Sequence, residues 1–230
     1  MTQLELFDFW EPLPAPKVKR DRRLITLNLD IVKNIEFTNS SMPLIRPSYH
    51  TEPLKYWQLF SQATNSKTKN LNAGVFFFQD DYKFERIWTR PYTYCNFLSH
   101  FPYVAGPDFS LYADMPLEMQ RWNVFRNRFL SAYWQSNGID VIPTITWSTA
   151  SSFDFCFDGI SGGTVIISTV GVHNNEQSKR LWIEGASEMV NRINPQCIIV
   201  YGHPIKFEFT GIDVTYIDYI TKKGGANNGR

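Results

Sequence analysis

The stretch GPDFSLYADMPLEMQRWNVFRNRFLSAYWQSNG, residues 106–138, gives the strongest indication of the fold class. Its first part, residues 107–112, is rich in apolar side chains and predicts a buried strand. Asp114 then lies where a helix N-cap is expected, and Pro116 lies near the first helical position, where its missing N–H costs nothing. Apolar residues recur at helical spacing until Gly138 ends the predicted helix: Met119, Trp122, Phe125, Phe129, Leu130 and Tyr133.

A second apolar run, residues 139–147, follows that helix directly, and strand, helix and strand in this order form the building block of a parallel sheet. Further strands are predicted at residues 74–79, 151–160, 164–169, 197–201 and 214–218, with an edge strand or strand pair at residues 24–37. Further helices are predicted at residues 54–62, 94–100 and 181–193. Ser178 is the expected cap of the last helix, and Gly185 inside it is unfavourable unless another group packs closely against it. We predict an α/β fold with a mostly parallel open sheet flanked by helices; a distorted or incomplete β/α barrel is the alternative.

Length and composition indicate one folded domain with short appended segments. The chain has 230 residues, is 43% hydrophobic and 16% aromatic, and carries a formal charge of +1. This composition excludes disorder over the whole chain and limits any basic surface to a local patch. The cysteines lack metal-binding spacing, no basic and apolar leader opens the chain, and no apolar run reaches membrane-spanning length. We expect a soluble cytoplasmic protein with a flexible tail at residues 1–23, one domain at residues 24–220 and a disordered tail at residues 221–230.

The first 23 residues, MTQLELFDFWEPLPAPKVKRDRR, differ in character from the rest of the chain. An apolar segment is followed by alternating prolines, which favour an extended polyproline conformation and exclude a helix. A basic run then follows, and its cations could bind a nucleic-acid phosphate backbone: Lys17, Lys19, Arg20, Arg22 and Arg23. The pattern predicts a short binding peptide on a stiff tether.

The peptide QLELF, residues 3–7, resembles the motif by which bacterial polymerases and repair proteins bind the replicative sliding clamp. The resemblance implies that Gln3 reaches a small polar pocket of the clamp. It also implies that Leu4, Leu6 and Phe7 fill a hydrophobic cleft, with Glu5 at the tolerant middle position. The alternative is an apolar segment that folds back onto its own domain and covers a groove or a sheet edge.

Several sequence blocks between residues 74 and 218 are similar to a family found in bacteria, phages and mobile elements. These blocks are GPDFSLYADMP, WNVFRNR, VIPTITW, FDFCFDGI, STVG and CIIVYG, in this order. The family is known only as domain of unknown function number four-four-one-seven. The resemblance implies a phage or mobile-element context and gives no mechanism.

Residues just past the C-terminal ends of parallel strands converge on one edge of the sheet, where such sheets bind ligands. The predicted members of this edge are Asp80, Asp81, Asp114, Trp147, Ser148, Thr169, Gly171, His203 and Asp218, together with Asp158 if residues 153–157 run along the sheet. Several carboxylates at one edge suit Mg²⁺, which prefers oxygen ligands and supports phosphoryl chemistry. The predicted metal ligands are Asp80, Asp114 and Asp158.

The candidate catalytic set contains Asp114, Asp158, Asn123 and Arg126. Asn123 and Arg126 follow Asp114 along the same predicted helix, and an arginine there can pair with phosphate or carboxylate. Each residue also has an ordinary structural interpretation. Asp114 can be an N-cap, Asp158 can accept hydrogen bonds in a turn as Asp108 can, and Arg126 can form a structural ion pair.

These observations predict a phage or mobile-element protein that acts in DNA replication or another DNA transaction. The clamp-binding peptide would recruit it, and metal-dependent processing of nucleic acid is the chemistry that the acidic edge would support. One alternative is a protein that binds or cleaves a nucleotide or another small phosphorylated ligand. Another is a non-catalytic inhibitor of a host factor. The sequence leaves open whether the chain catalyses a reaction.

Overall fold

The computed structural model describes residues 20–50, 54 and 56–219 of the chain. The clamp-like peptide with Gln3, Leu4, Leu6 and Phe7 lies outside these residues. Lys17, Lys19 and the predicted C-terminal tail also lie outside them.

In the described part of the chain, seven strands follow one another in chain order, and every neighbouring pair is parallel. The strands are β1 (Trp57–Leu59), β2 (Gly74–Phe76), β3 (Val104–Ala105), β4 (Val141–Ile142), β5 (Thr164–Ser168), β6 (Cys197–Tyr201) and β7 (Asp213–Ile217). The first four form one ladder and the last three form another. A parallel bridge between Thr144 and Ile166 joins the two ladders. The predicted fold class, α/β with a parallel sheet, is therefore confirmed.

Six α-helices in the described residues cover the outside of the sheet. They are α1 (Phe60–Ala63), α2 (Arg86–Thr89), α3 (Pro91–Leu98), α4 (Leu117–Ser136), α5 (Phe153–Cys156) and α6 (Glu176–Ile193). Short 3-10 turns lie at Leu29–Asn34, Asp81–Lys83, Ala150–Ser152 and Val172–Asn174. None of the helices in the described ranges is both long and apolar enough to cross a membrane.

The sheet is strongly curved, and its concave face is filled by side chains from all seven strands. These side chains form one buried cluster that includes Trp57, Phe76, Ala105, Ile142, Ile166, Ile199 and Ile217. The ring of Tyr201 on β6 lies 5.1 Å from that of Phe76 on β2 and 5.0 Å from that of Phe78 just beyond it. Rings four strands apart could not meet across a flat sheet. The curvature approaches that of a barrel, but the described strands do not close one, because β1 and β7 are not paired.

The convex face packs against two helical layers, and α4 connects them. Phe129, Leu130 and Trp134 of α4 lie in the cluster that covers the first ladder, whereas Val124 belongs to the cluster over the second ladder. Met119, expected on the buried face, is 56% exposed because it lies in the first turn, which extends beyond the core. Trp122 is 37% exposed as well and Phe125 is half-buried, so the buried part of the predicted apolar face is Phe129, Leu130 and Tyr133.

The strand expected at residues 107–112 is displaced toward the N-terminus, to β3. Pro107 has no N–H with which to continue the ladder, and its carbonyl accepts a hydrogen bond from Asn127 Nδ2 at 2.6 Å. The chain therefore leaves the sheet directly after Gly106. Asp114 is exposed and does not cap α4, because the N-cap position belongs to Pro116.

The expected strand at residues 151–160 is wrong, because this segment forms a 3-10 turn followed by α5. Phe153 and Phe157 lie one helical turn apart with ring centroids 5.4 Å from each other, while Phe155 and Cys156 are buried. Over so short a run, apolar residues at alternate positions fit both the two-residue period of a strand and the 3.6-residue period of a helix.

Three further local predictions also need correction. Residues 24–37 contain the Leu29–Asn34 turn rather than an edge strand, and residues 54–62 divide between β1 and α1. The cap of α6 is Asn175, whose side chain accepts a hydrogen bond from the backbone N–H of Ser178.

Candidate functional site

A cavity of about 520 Å³ opens at the edge of the sheet where β2, β3, β4 and β5 end. Ser178, Leu181 and Trp182 close its far side with the first turns of α6. The C-terminal edge of a parallel sheet is the usual place for a ligand, and this volume lies in the range of small-molecule sites. The cavity is therefore the candidate functional site.

Asp108 lies in the cavity wall, three positions after the end of β3. Thr146 Oγ1 donates a hydrogen bond of 2.5 Å to its Oδ1 atom, whereas the described residues give Oδ2 no hydrogen bond. Burial raises the pKa of the Asp108 carboxyl to about 7; the Thr146 hydrogen bond opposes this rise and the charge of Asp81 adds to it. A carboxyl with such a pKa can both donate and accept a proton near neutral pH.

Gln79 lies in the same wall, just beyond β2. Both of its amide atoms, Nε2 and Oε1, are shielded from solvent and have no hydrogen-bond partner among the described residues. Buried polar groups are nearly always paired, and leaving one unpaired costs about 1–3 kcal/mol. The cavity wall thus holds a donor and an acceptor that the protein itself does not use.

Aromatic side chains form much of the remaining wall, and two of them are fixed by hydrogen bonds. Trp182 Nε1 donates to the Ser168 carbonyl at 2.9 Å, and Trp147 Nε1 donates to the Leu181 carbonyl at 3.3 Å. Gly185 allows the second contact, because a Cβ atom at that position would lie 2.0 Å from Trp147 Nε1. Trp147 is therefore the group that packs closely against Gly185, as a glycine inside a helix leads one to expect.

Two predicted edge residues, Asp80 and Asp81, flank the cavity and are already engaged. Asp80 lines it and forms a 2.5 Å ion pair with Lys83. The Asp81 carboxylate accepts hydrogen bonds from the backbone N–H and the hydroxyl of Ser110, the latter at 2.8 Å. Asp81 therefore holds the chain after β3 in place beside the cavity.

The structure does not bring the three predicted metal ligands together. Asp80 lines the cavity and Asp114 is exposed outside its lining, whereas Asp158 follows α5 and accepts hydrogen bonds from Ser40 and Thr38. In residues 20–50, 54 and 56–219, no group of three His, Cys, Asp or Glu side chains could hold a metal ion. The described residues thus do not form the expected magnesium site.

Asn123 and Arg126 belong to a hydrogen-bonded network behind the cavity wall. Arg126 Nη1 donates to the Glu85 carboxylate at 2.7 Å, and Nη2 donates to Asn123 Oδ1 at the same distance. Asn123 in turn donates to the Ser110 carbonyl. The Arg126 guanidinium also lies 3.9 Å from the centre of the Phe109 ring. Both side chains connect α4 to the segment that carries Asp108 and do not line the cavity.

Part of the basic run belongs to the folded body. Arg20 donates to the Asp30 carboxylate and to Asn28, and its guanidinium lies over the Tyr92 ring. Only 12% of the Arg20 side chain is exposed. Arg23 pairs with Asp21, and Arg22 is exposed. Arg20 therefore anchors the chain to the domain rather than offering a free cation.

The cavity opens at the edge of the sheet that the sequence predicts, but Gln79 and Asp108, which line it, are not among the predicted members of that edge. The sequence favours a turn acceptor for Asp108, although its place after an apolar run is a usable signal. Gln79 was placed at the end of a strand, and no sequence pattern reveals that its amide lacks a partner.

The family model described as Domain of unknown function (DUF4417) matches residues 38–220. Among curated proteins, the chain is 45% identical over 133 residues to the Gene 1 protein of Mycobacterium phage L5, covering 57% of this chain and 58% of that protein. It is 43% identical over 131 residues to the Gene 1 protein of Mycobacterium phage D29, covering 56% of this chain and 48% of the relative. The chain thus spans about half the length of these relatives. No solved structure matches it significantly.

Proposed function

The chain belongs to the DUF4417 family, and from that premise we propose that it acts in a phage DNA transaction to which the host's sliding clamp recruits it. The observation that carries this proposal is the peptide QLELF at residues 3–7. Gln3 would occupy the polar pocket of the clamp, and Leu4, Leu6 and Phe7 would fill its hydrophobic cleft. The likeness to two phage proteins supports the phage context.

The distance between the peptide and the domain supports recruitment. Arg20 is fixed to the domain, and Phe7 precedes it by 13 positions, with Pro12, Pro14 and Pro16 between them. At about 3.3 Å per extended residue, this segment can span roughly 40 Å. The clamp could therefore hold residues 3–7 without contacting the α/β body.

The remaining basic residues supply the proposed contact with DNA. Arg20 and Arg23 are paired with carboxylates. Lys17, Lys19 and Arg22 would therefore make the contacts with the phosphate backbone of DNA. Three cations near a clamp that encircles DNA would add a salt-dependent attraction to phosphate. With a net charge of only +1, the whole chain has no general affinity for polyanions.

Metal-dependent processing of the bound nucleic acid receives less support than recruitment. Among the described residues no three carboxylate, histidine or cysteine side chains are placed to hold a metal ion, and Asn123 and Arg126 are engaged with Ser110 and Glu85. A small phosphorylated ligand is also disfavoured in the cavity, because no described lining residue is lysine or arginine. A non-catalytic inhibitor that occupies the clamp remains the alternative, since it would use the same peptide.

The test is binding of the full chain to purified host clamp, measured by surface plasmon resonance. The double substitution Leu6→Ala/Phe7→Ala should weaken binding at least tenfold, because it removes most of the apolar surface that enters the cleft. Glu5→Ala, at the tolerant middle position, is the matched control and should bind like the wild type. Equal binding of the double variant would refute recruitment through this peptide.

A second measurement separates recruitment from inhibition. The chain is added to a clamp-dependent primer-extension reaction at concentrations that saturate the clamp. An inhibitor would reduce extension in proportion to its occupancy of the clamp, and Leu6→Ala/Phe7→Ala would abolish this effect. Undiminished extension with the clamp occupied would support recruitment.

A further inference from the structure

We propose that the cavity at the ends of β2–β5 binds a nucleobase, recognised through an edge that carries a hydrogen-bond donor next to an acceptor. Gln79 and Asp108 would read this edge, and Tyr112 would stack on the ring. The proposal goes beyond clamp recruitment and does not depend on it, because residues 3–7 play no part in it.

The first argument is the unused hydrogen-bonding capacity of the wall. Gln79 holds one donor and one acceptor within the wall, both shielded from solvent and neither with a partner among the described residues. Asp108 has an oxygen, Oδ2, that receives no hydrogen bond from them, while Thr146 fixes the other oxygen. The hydroxyls of Ser110, Thr146 and Ser148 already donate to Asp81, Asp108 and Gln120. The free groups therefore match a ligand with its own adjacent donor and acceptor, as every nucleobase has.

The second argument is charge. Asp80 and Asp108 line the cavity, and none of the described lining residues is lysine or arginine. A phosphate group in this cavity would meet the carboxyl of Asp108 and find no lysine or arginine in the described lining, and burying an anion without such a partner is costly. The ligand group that enters is thus uncharged, so a nucleobase fits and a phosphate does not.

The third argument is the aromatic surface at the cavity. Tyr112 lines the cavity, is 61% exposed and makes no ring contact with another described aromatic residue. Of the other aromatic residues of the wall, Trp147 and Trp182 lie against each other with centroids 5.9 Å apart, and Phe78 stacks on Tyr201. An exposed ring in the cavity wall offers a stacking platform for any base.

Nucleobases reach a protein either as free nucleosides or within a single strand, and one titration series distinguishes these sources. The full chain is titrated by calorimetry with each of four nucleosides, with the matching 5′-monophosphates, and with single-stranded pentanucleotides of each base. We expect at least one nucleoside or pentanucleotide to bind with a Kd below about 1 mM. We also expect no monophosphate to bind more tightly than its nucleoside. Binding of nucleosides assigns the site to free bases, and binding of pentanucleotides alone assigns it to a base within a strand.

Variants connect the binding to the cavity. Gln79→Leu keeps the side-chain volume and removes the amide, Asp108→Asn keeps the shape of the carboxyl, and Tyr112→Leu removes the ring. Each should weaken binding at least tenfold in the same titration. The matched controls are Asp154→Asn, an exposed carboxyl on α5, and Tyr49→Leu, an exposed ring outside the cavity lining. Both controls should bind like the wild type.

Three results would overturn the proposal. They are no binding of any nucleoside or pentanucleotide by the wild type, unchanged binding in both Gln79→Leu and Asp108→Asn, and tighter binding of the monophosphates. Circular dichroism of each variant confirms the native fold before titration. If Gln79→Leu fails to fold, Asp108→Asn and Tyr112→Leu decide the outcome.

Discussion

Replacing Asp108 with asparagine should remove a large part of the pH dependence of stability between pH 4 and pH 7. The pKa of the carboxyl is raised from 3.8 to about 7 in the folded protein, chiefly because the group is buried. Between these two values the folded chain keeps the proton on Asp108 and the unfolded chain has lost it. The contribution of Asp108 to the free energy of unfolding is therefore fully present below pH 4 and is lost as the pH rises toward 7.

The size of the effect follows from the difference between the two pKa values. Each unit corresponds to about 1.4 kcal/mol, so about three units set an upper bound of about 4 kcal/mol, and because Asp108 is only half-buried beside the cavity, water lowers the loss below this bound. Asp81 and Asp80 are the charged groups beside Asp108; the charge of Asp81 raises the Asp108 pKa further. Asparagine retains the acceptor for Thr146 and carries no charge at any pH. The free energy of unfolding of Asp108→Asn should therefore lack the fall between pH 4 and pH 7 that Asp108 causes in the wild type.

Urea unfolding followed by tryptophan fluorescence measures the effect at half-unit steps from pH 4 to pH 8. The difference in free energy of unfolding between Asp108→Asn and the wild type should grow in favour of the variant by about 1.4 kcal/mol per pH unit, then level off near pH 7. Other titrating groups cancel in this difference. Asp154→Asn, with an exposed carboxyl, should show no such trend. A difference that stays constant across the range would refute the assignment of a buried, protonated Asp108.

Three further predictions concern the packing that positions the cavity. Gly185→Ala should destabilise the protein by about 1–3 kcal/mol in urea unfolding, because the added methyl group overlaps Trp147 and this overpacking outweighs the better helix propensity of alanine. Arg128→Met should cost about 3 kcal/mol in the same assay, since the buried guanidinium donates to the carbonyls of Cys156 and Asp158, which would lose this partner, and to that of Thr144, which would keep Asn127. In native protein at pH 8, iodoacetamide should modify Cys197 first, because burial raises the pKa of the other two thiols to about 11.

Controls for these predictions come from exposed positions and from unfolded protein. Ser187→Ala in α6 and Arg180→Met should each change stability by less than about 0.5 kcal/mol. In urea, all three thiols should react at similar rates. A stabilised Gly185→Ala, an Arg128→Met variant as stable as Arg180→Met, or native Cys95 reacting as fast as Cys197 would each contradict the packing described.

The strands with a continuous apolar sequence could be predicted because both of their faces are buried. β5 and β6 lie between two buried layers, so every position favours an apolar residue and the run is unambiguous. Residues 153–157 were mistaken for a strand because two of their phenylalanines, one turn apart, pack together on α5. Only tertiary contacts decide between the two periods in so short a segment.

The candidate site was predictable in place but not in composition. The rule that ligands bind past strand ends selects the edge at which the cavity opens, and Asp80 lines that cavity. Asp158 was drawn into the predicted site because its segment was taken for a strand, whereas in the structure it follows a helix and meets Ser40 and Thr38. The importance of Gln79 depends on what its amide fails to contact, which only the assembled fold determines.

The chain-order arrangement of the seven strands has a consequence for synthesis on the ribosome. Within each ladder every strand pairs with the one made just before it, and a single bridge joins the ladders, so the nascent chain can add strands one by one as it emerges. A truncated product ending after residue 142 would contain the whole first ladder and α4 but would leave the last-made strand, β4, as an unpaired edge. Such an edge invites pairing between chains. A truncated chain released at this position should therefore aggregate, whereas in the full chain the second ladder joins this edge through the bridge between Thr144 and Ile166.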